Sequence, residues 1–154
     1  MISIKRILFP TDFSECAEHA LKYAISLATT HEAKLYVLHV ITELNIPLGL
    51  GVSAYPLSEI YDDMEKEAQK KIQHLIPLQF QGKVEVENIV IRGTPFLEII
   101  KAAKKYGIDL ITIATHGRTG LSHVILGSTA ERVVSMSPCP VLCVKHPEHE
   151  FVLP

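Results

Sequence analysis

The stretch Asp109-Leu110-Ile111-Thr112-Ile113-Ala114-Thr115-His116-Gly117-Arg118-Thr119-Gly120-Leu121, with Gly127-Ser128-Thr129 shortly after it, decides the fold. Residues 109–115 are a short run rich in β-branched and apolar side chains, which reads as a strand central enough to be buried on both faces. A loop with glycines at 117, 120 and 127 follows, and a helix begins at Ser128 and runs to Ser135. A strand running through a glycine-bearing loop into a helix is the start of an α/β crossover.

Outward from this stretch the alternation repeats. Ile4–Phe9 reads as a strand stopped by Pro10-Thr11-Asp12, and Ser14 as the N-cap of a helix running through about Thr30. That helix places Ala17, Ala20, Leu21, Ala24, Leu27 and Ala28 on one face, small residues suited to close packing on a sheet. Lys34–Val40 is a second strand, followed by an irregular segment from Ile41 to about Leu57, long enough to be read as a functional or mobile loop. Ser58 to about Ile76 is an amphipathic helix closed by Pro77, and Lys83–Ile91 a third strand. Thr94-Pro95 opens a helix that ends near Tyr106-Gly107, and Val141–Val144 is the fifth strand. Right-handed crossovers then give an α/β fold: a doubly wound, five-stranded parallel sheet of order 3-2-1-4-5 with helices on both faces. One domain spans 1–145, with a tail at 146–154. In such a sheet ligands bind beyond the strand C-termini at the switch point, here between strands 1 and 4. The loops Pro10–Ser14 and Thr115–Gly127 meet there.

The second loop has the parts of a phosphate cradle. Glycines 117, 120 and 127 leave backbone N–H groups unshielded and permit positive φ, so amides can converge on an anion. The following helix adds unpaired N–H donors and a partial positive charge, and Arg118 can screen phosphate from the rim. Local pattern leaves a second reading open. Ser128-Thr129-Ala130-Glu131 matches a capping box, so Ser128 could serve its own helix while the glycines merely turn the chain. The segment is neither a P-loop nor the dinucleotide fingerprint after strand 1.

Composition sets bounds. A formal net charge of -2 over 154 residues carries no electrostatic footprint for nucleic acid. Lys101, Lys104 and Lys105 sit at helical spacing as a solvated face or a docking patch. Met1–Arg6 lacks the layout of a signal peptide, and no apolar run approaches the roughly 18 residues of a membrane span, so a soluble cytoplasmic protein is expected. Three cysteines make no disulfide framework. Cys139 and Cys143, four apart in an expected strand, would lie about 13 Å apart, too far for a bridge or a shared metal. His146 and His149 in the tail are too few for a metal site by themselves.

Over nearly its whole length the chain resembles the universal stress protein family. The resemblance rests on Ile7-Leu8-Phe9-Pro10-Thr11-Asp12-Phe13-Ser14, Leu38-His39-Val40, Arg92-Gly93-Thr94-Pro95, Thr115-His116-Gly117-Arg118-Thr119-Gly120-Leu121, Leu126-Gly127-Ser128-Thr129-Ala130-Glu131-Arg132-Val133 and Pro138-Cys139-Pro140-Val141-Leu142. In its ATP-binding branch the motif is Gly, two residues, Gly, nine residues, Gly, then Ser or Thr. Gly117, the nine residues from Arg118 to Leu126, and Gly127-Ser128 match it, whereas Ala114 stands at the first glycine. An alanine there is mild if the position keeps negative φ and costly if it needs positive φ.

The resemblance implies an adenine nucleotide, ATP or AMP; any Mg2+ that comes with it would be held mainly by phosphate oxygens, together with Ser128, because the loop carries no acid. Pro10, Thr11 and Asp12 would meet the adenosine end, Val40 the base through its backbone, and Ile113 would pack nearby; Gly117, Gly127, Ser128 and Thr129 would hold the phosphates, with Ala114, His116 and Arg118 around them. Read locally, Asp12 could instead form an Asx-turn before the helix. No Asp or Glu lies between Thr115 and Thr129, so the expected role is a stress-response regulator or binding module rather than a dedicated enzyme. A nucleotide-free interaction dimer and a slow ATP hydrolase are the alternatives. The resemblance further implies a homodimer through the fifth strand, Val141, Leu142, Cys143 and Val144, an apolar edge without a blocking charge until Lys145.

Overall fold

A computed structural model describes residues 1–43, 57–117 and 126–147. In chain order these form β1 (Arg6–Pro10), α1 (Glu15–His31), β2 (Lys34–Thr42), α2 (Leu57–Gln73), a 3-10 turn (Leu78–Phe80), β3 (Val86–Gly93), α3 (Pro95–Lys105), β4 (Leu110–Ala114), α4 (Ser128–Met136) and β5 (Val141–Val144). The five strands make one sheet in the order β3-β2-β1-β4-β5, and every pairing is parallel, as the alternation of elements requires.

Period-2 alternation within the strands feeds two cores. Ile7, Phe9, Leu35 and Val37 face α1 and α2, where Ala17, Ala20, Ala24 and Ala28 bring α1 close to the sheet. Leu8, Tyr36, Leu38, Ile111 and Ile113 face α3 and α4, against Ile99, Ala103, Ala130 and Val133. Ile7, Leu8 and Phe9 are wholly buried, so β1 is the spine of both layers. Ser14 caps α1, accepting from the Ala17 N–H at 3.2 Å. Gly107, at φ +57, follows the end of α3 in the left-handed conformation that suits a glycine there.

The structure moves several expected boundaries. β1 starts two residues later than Ile4 and includes Pro10, and β3 covers 86–93 rather than 83–91 because Lys83–Glu85 follows the unanticipated 3-10 turn. β2 continues to Thr42, since β3 keeps pairing with it through Thr42↔Gly93. The first two residues assigned to the long loop are therefore strand; 44–56 lie outside the described residues. Cys139 is not in a strand, because β5 begins at Val141 after Pro140. Its backbone instead turns on Ser137, whose hydroxyl accepts from the Cys139 N–H at 3.2 Å. All three thiols are free and are pushed up by burial. No helix among the described residues is long and apolar enough to cross a membrane.

Candidate functional site

A cavity of about 470 Å³ opens at the C-terminal ends of the strands, where β1 lies between β2 and β4. Pro10, Thr11, Asp12, Val40, Ile113, Ala114, His116, Gly117, Gly127, Ser128 and Thr129 all line it. Of the residues singled out from sequence for this site, Arg118 and Gly120 lie outside the described residues.

Strand lengths explain one wall. β1 ends at Pro10, opposite Leu38, whereas β2 continues to Thr42. Lys34 donates to the Lys5 carbonyl, and the Leu38 carbonyl accepts from the Thr11 N–H at 2.8 Å, so even-numbered residues of β2 direct their backbone groups toward β1. Two residues beyond Leu38, the Val40 N–H and C=O point the same way, past the end of β1. They present one donor and one acceptor to the cavity. Across the gap Thr115 donates to the Val144 carbonyl, which by alternation turns the Ala114 backbone toward the β1 side. Ala114 is not at positive φ; among described non-glycine residues only Phe13 and Glu32 are. The alanine is thus the mild departure, not the strained one.

The turn after β1 is tightly specified. The Phe13 N–H reaches Thr11 Oγ1 at 3.0 Å and the Ser14 N–H reaches Asp12 Oδ1 at 3.0 Å, so the Asx-turn does form. Phe13 sits at φ +60, a conformation that costs a non-glycine residue roughly 1–2 kcal/mol. His39 from β2, buried, closes the turn: its Nδ1–H donates to the Thr11 carbonyl at 2.8 Å, and its ring lies 4.4 Å from that of Phe13.

The glycines act differently from expectation. Neither Gly117 nor Gly127 is at positive φ, so both serve by their missing Cβ. A Cβ on Gly117 would lie 2.5 Å from Asp12 Oδ2, and one on Gly127 would lie 3.1 Å from the Thr115 carbonyl, which already accepts from the Gly127 N–H at 2.7 Å. Gly120 is outside the described residues. The capping-box reading of Ser128 does not hold, because the N-cap is Gly127 and no side chain caps the helix. Ser128, Thr129 and Ala130, the first turn of α4, line the cavity with their N–H groups unused by the helix. His116, buried, lines the same wall, with Nδ1 3.0 Å from Thr115 Oγ1.

Sequence reasoning missed Met64, His39 and Thr42 as lining residues. The sequence shows His39 only as part of the second strand and of Leu38-His39-Val40, and no spacing signal ties Met64 of α2 to the distant strand ends. Asp12 is the only carboxylate among the described lining residues. Among the described residues no group of three or more His, Cys, Asp or Glu could hold a metal ion. The arrangement can present one backbone donor–acceptor pair, one carboxylate and one uncapped helix N-terminus to a single elongated ligand.

The sequence pattern described as the universal stress protein family matches residues 3–145. The chain is 36% identical to universal stress protein MJ0577 of Methanocaldococcus jannaschii, covering 94% of this chain and 96% of that protein. The structure of MJ0577 superposes with a TM-score of 0.81, covering 94% of this chain and 98% of that one. Universal stress protein UspA from Lactobacillus plantarum is similar at 27% identity and a TM-score of 0.72, covering 92% and 98%.

Proposed function

Because the chain belongs to the universal stress protein family, we propose that the cavity between β1 and β4 holds an adenine nucleotide, ATP or AMP, and that the protein acts as a stress-response regulator through its bound state. The observation that carries this reading is the cavity's change of character from end to end. At the β2 end the Val40 backbone offers an acceptor and a donor, the complement of the adenine amine and its neighbouring ring nitrogen. At the α4 end the unused N–H groups of Ser128, Thr129 and Ala130 meet a partial positive charge, which suits phosphate. Asp12, in the loop after β1 and facing Gly117 of the loop after β4, takes the sugar hydroxyls. The Ser128 hydroxyl, together with phosphate oxygens, would hold any Mg2+ that accompanies the nucleotide, and the ion would offset phosphate charge there. Two more distant structures of this fold are of a universal stress protein in complex with cAMP and of one from Archaeoglobus fulgidus in complex with dAMP, at 20% and 21% identity.

A binding module fits this set better than an enzyme. Asp12 is committed to the turn through Ser14, and the chain from Thr115 to Thr129 has no acid to hold a metal or activate water. The test is to denature the purified protein and assay released nucleotide, then to follow thermal unfolding with ATP and magnesium. Ligand at ~100 times Kd adds about 2.7 kcal/mol of stability. No released nucleotide and no thermal shift at millimolar ATP would overturn the proposal. Gly117→Val, which pushes a branched side chain onto Asp12, is expected to weaken ATP binding; unchanged affinity would mean the phosphates lie elsewhere.

A further inference from the structure

We propose that His39 is a positioning residue for this cavity, holding the β1–α1 turn so that Asp12 can read the sugar of the nucleotide; the inference rests on the nucleotide reading above. Phe13 is held at φ +60, and the local bonds to Thr11 Oγ1 and Asp12 Oδ1 close only the turn upon itself. It is tied to the sheet by the Thr11 N–H on the Leu38 carbonyl and, from the very next residue of β2, by the His39 Nδ1–H on the Thr11 carbonyl at 2.8 Å. A carbonyl can only accept, so Nδ1 carries the proton. The imidazole ring also lies against Phe13 at 4.4 Å, so a single buried side chain holds both the backbone just before Asp12 and the ring just after it. Asp12 Oδ2 in turn lies directly over Gly117, where no Cβ intervenes. A small rotation of the turn would move that carboxylate off the cavity's midline without disturbing either the Val40 backbone or the start of α4.

The consequence is a division of labour. Loss of the His39 donor leaves the phosphate and base contacts in place and blurs the reading of the sugar. The measurement is the ratio of Kd for 2′,3′-dideoxy-ATP to Kd for ATP, with magnesium, by calorimetry. His39→Phe keeps an aromatic ring on Phe13 and removes the donor; His39→Asn keeps a donor near the place of Nδ1. The unsubstituted chain is expected to prefer ATP by about tenfold, as for hydrogen bonds to a charged group. His39→Phe should bring the ratio close to one, His39→Asn should restore most of it, and in an Asp12→Ala background His39→Phe should change it no further. His39→Leu makes the same comparison should the phenylalanine variant not fold. ATP binding retained by His39→Phe with an unchanged ratio overturns the proposal alone, as does an equal loss in the Asp12→Ala background, which would make His39 a direct ligand contact. Absence of ATP binding to the unsubstituted chain overturns the nucleotide reading and takes this one with it.

Discussion

Replacing Gly117 by alanine tests the most specific contact of the site without any ligand. Backbone strain is not at issue, because Gly117 is not at positive φ. On that count alone alanine should stabilise by about 0.4–1 kcal/mol, through reduced freedom of the unfolded chain. The new Cβ, however, would stand 2.5 Å from Asp12 Oδ2, well inside contact distance. Asp12 must rotate, and its Oδ1 then loses the Ser14 N–H at 3.0 Å. A hydrogen bond to a charged group is worth about 1.5–3 kcal/mol, and the half-buried setting favours the lower end. The net expectation is a loss of about 1 kcal/mol, or a fall in Tm of roughly 2–4 °C for a chain of this size. The assay is a double-mutant cycle by urea unfolding with Asp12→Ala. Once the carboxylate is gone, Gly117→Ala should turn neutral or stabilising, giving a coupling of about 1.5 kcal/mol or more. Strict additivity would refute the argument, since it would mean that Asp12 does not occupy the space the glycine leaves.

Other expectations follow from separate features. Thr112, wholly buried on β4, is the one residue with a buried side-chain oxygen lacking a partner among the described residues, so Thr112→Val should raise stability by about 1 kcal/mol in urea unfolding; a loss would reveal a hidden partner. His19 is held below its ordinary pKa of 6.5 by burial, by the neighbouring ring of His146 at 5.3 Å, and by Lys22. The fold therefore favours the neutral ring, and this share of stability is full above about pH 6.5 and should be lost as pH falls below it through the lower folded-state value; His146→Gln should reduce the dependence, measured by Tm between pH 7.5 and 5. A homodimer through the β5 edge should elute with a light-scattering mass twice the 17.1 kDa chain, and a monomer at micromolar concentration would remove that interface.

The topology was readable because apolar periodicity switches between 2 and 3.6 at each element and because proline and glycine punctuate the changes, as at Pro10, Thr94-Pro95 and Gly107. Motif spacing brought Gly117, Gly127 and Ser128 to one cavity with Asp12, which lies over 100 residues earlier in the chain. The role of the glycines was not readable. A glycine that supplies positive φ and one that makes room for a neighbour's carboxylate look alike in sequence, and only the Asp12 contact separates them. His39 was missed for a related reason, since its partner is a backbone carbonyl, a group every residue carries. Met64 was missed because α2 reaches the strand ends only through tertiary packing.

The central place of β1 has a consequence in time as well as in space. It is made before the other four strands, yet its neighbour β4 lies a hundred residues later, and the Lys5 and Arg6 N–H groups wait for the Asp109 carboxylate, which binds each at 2.8 Å. At about 5–20 residues per second of synthesis, Ile7-Leu8-Phe9 spends roughly 5–20 seconds with one edge open. The nascent chain thus passes through a stage with an apolar strand and half a sheet but no cavity. On the nucleotide reading proposed above, ligand would find no complete site until the first turn of α4 has been added, and would act as a seal on the finished domain rather than as a template for it.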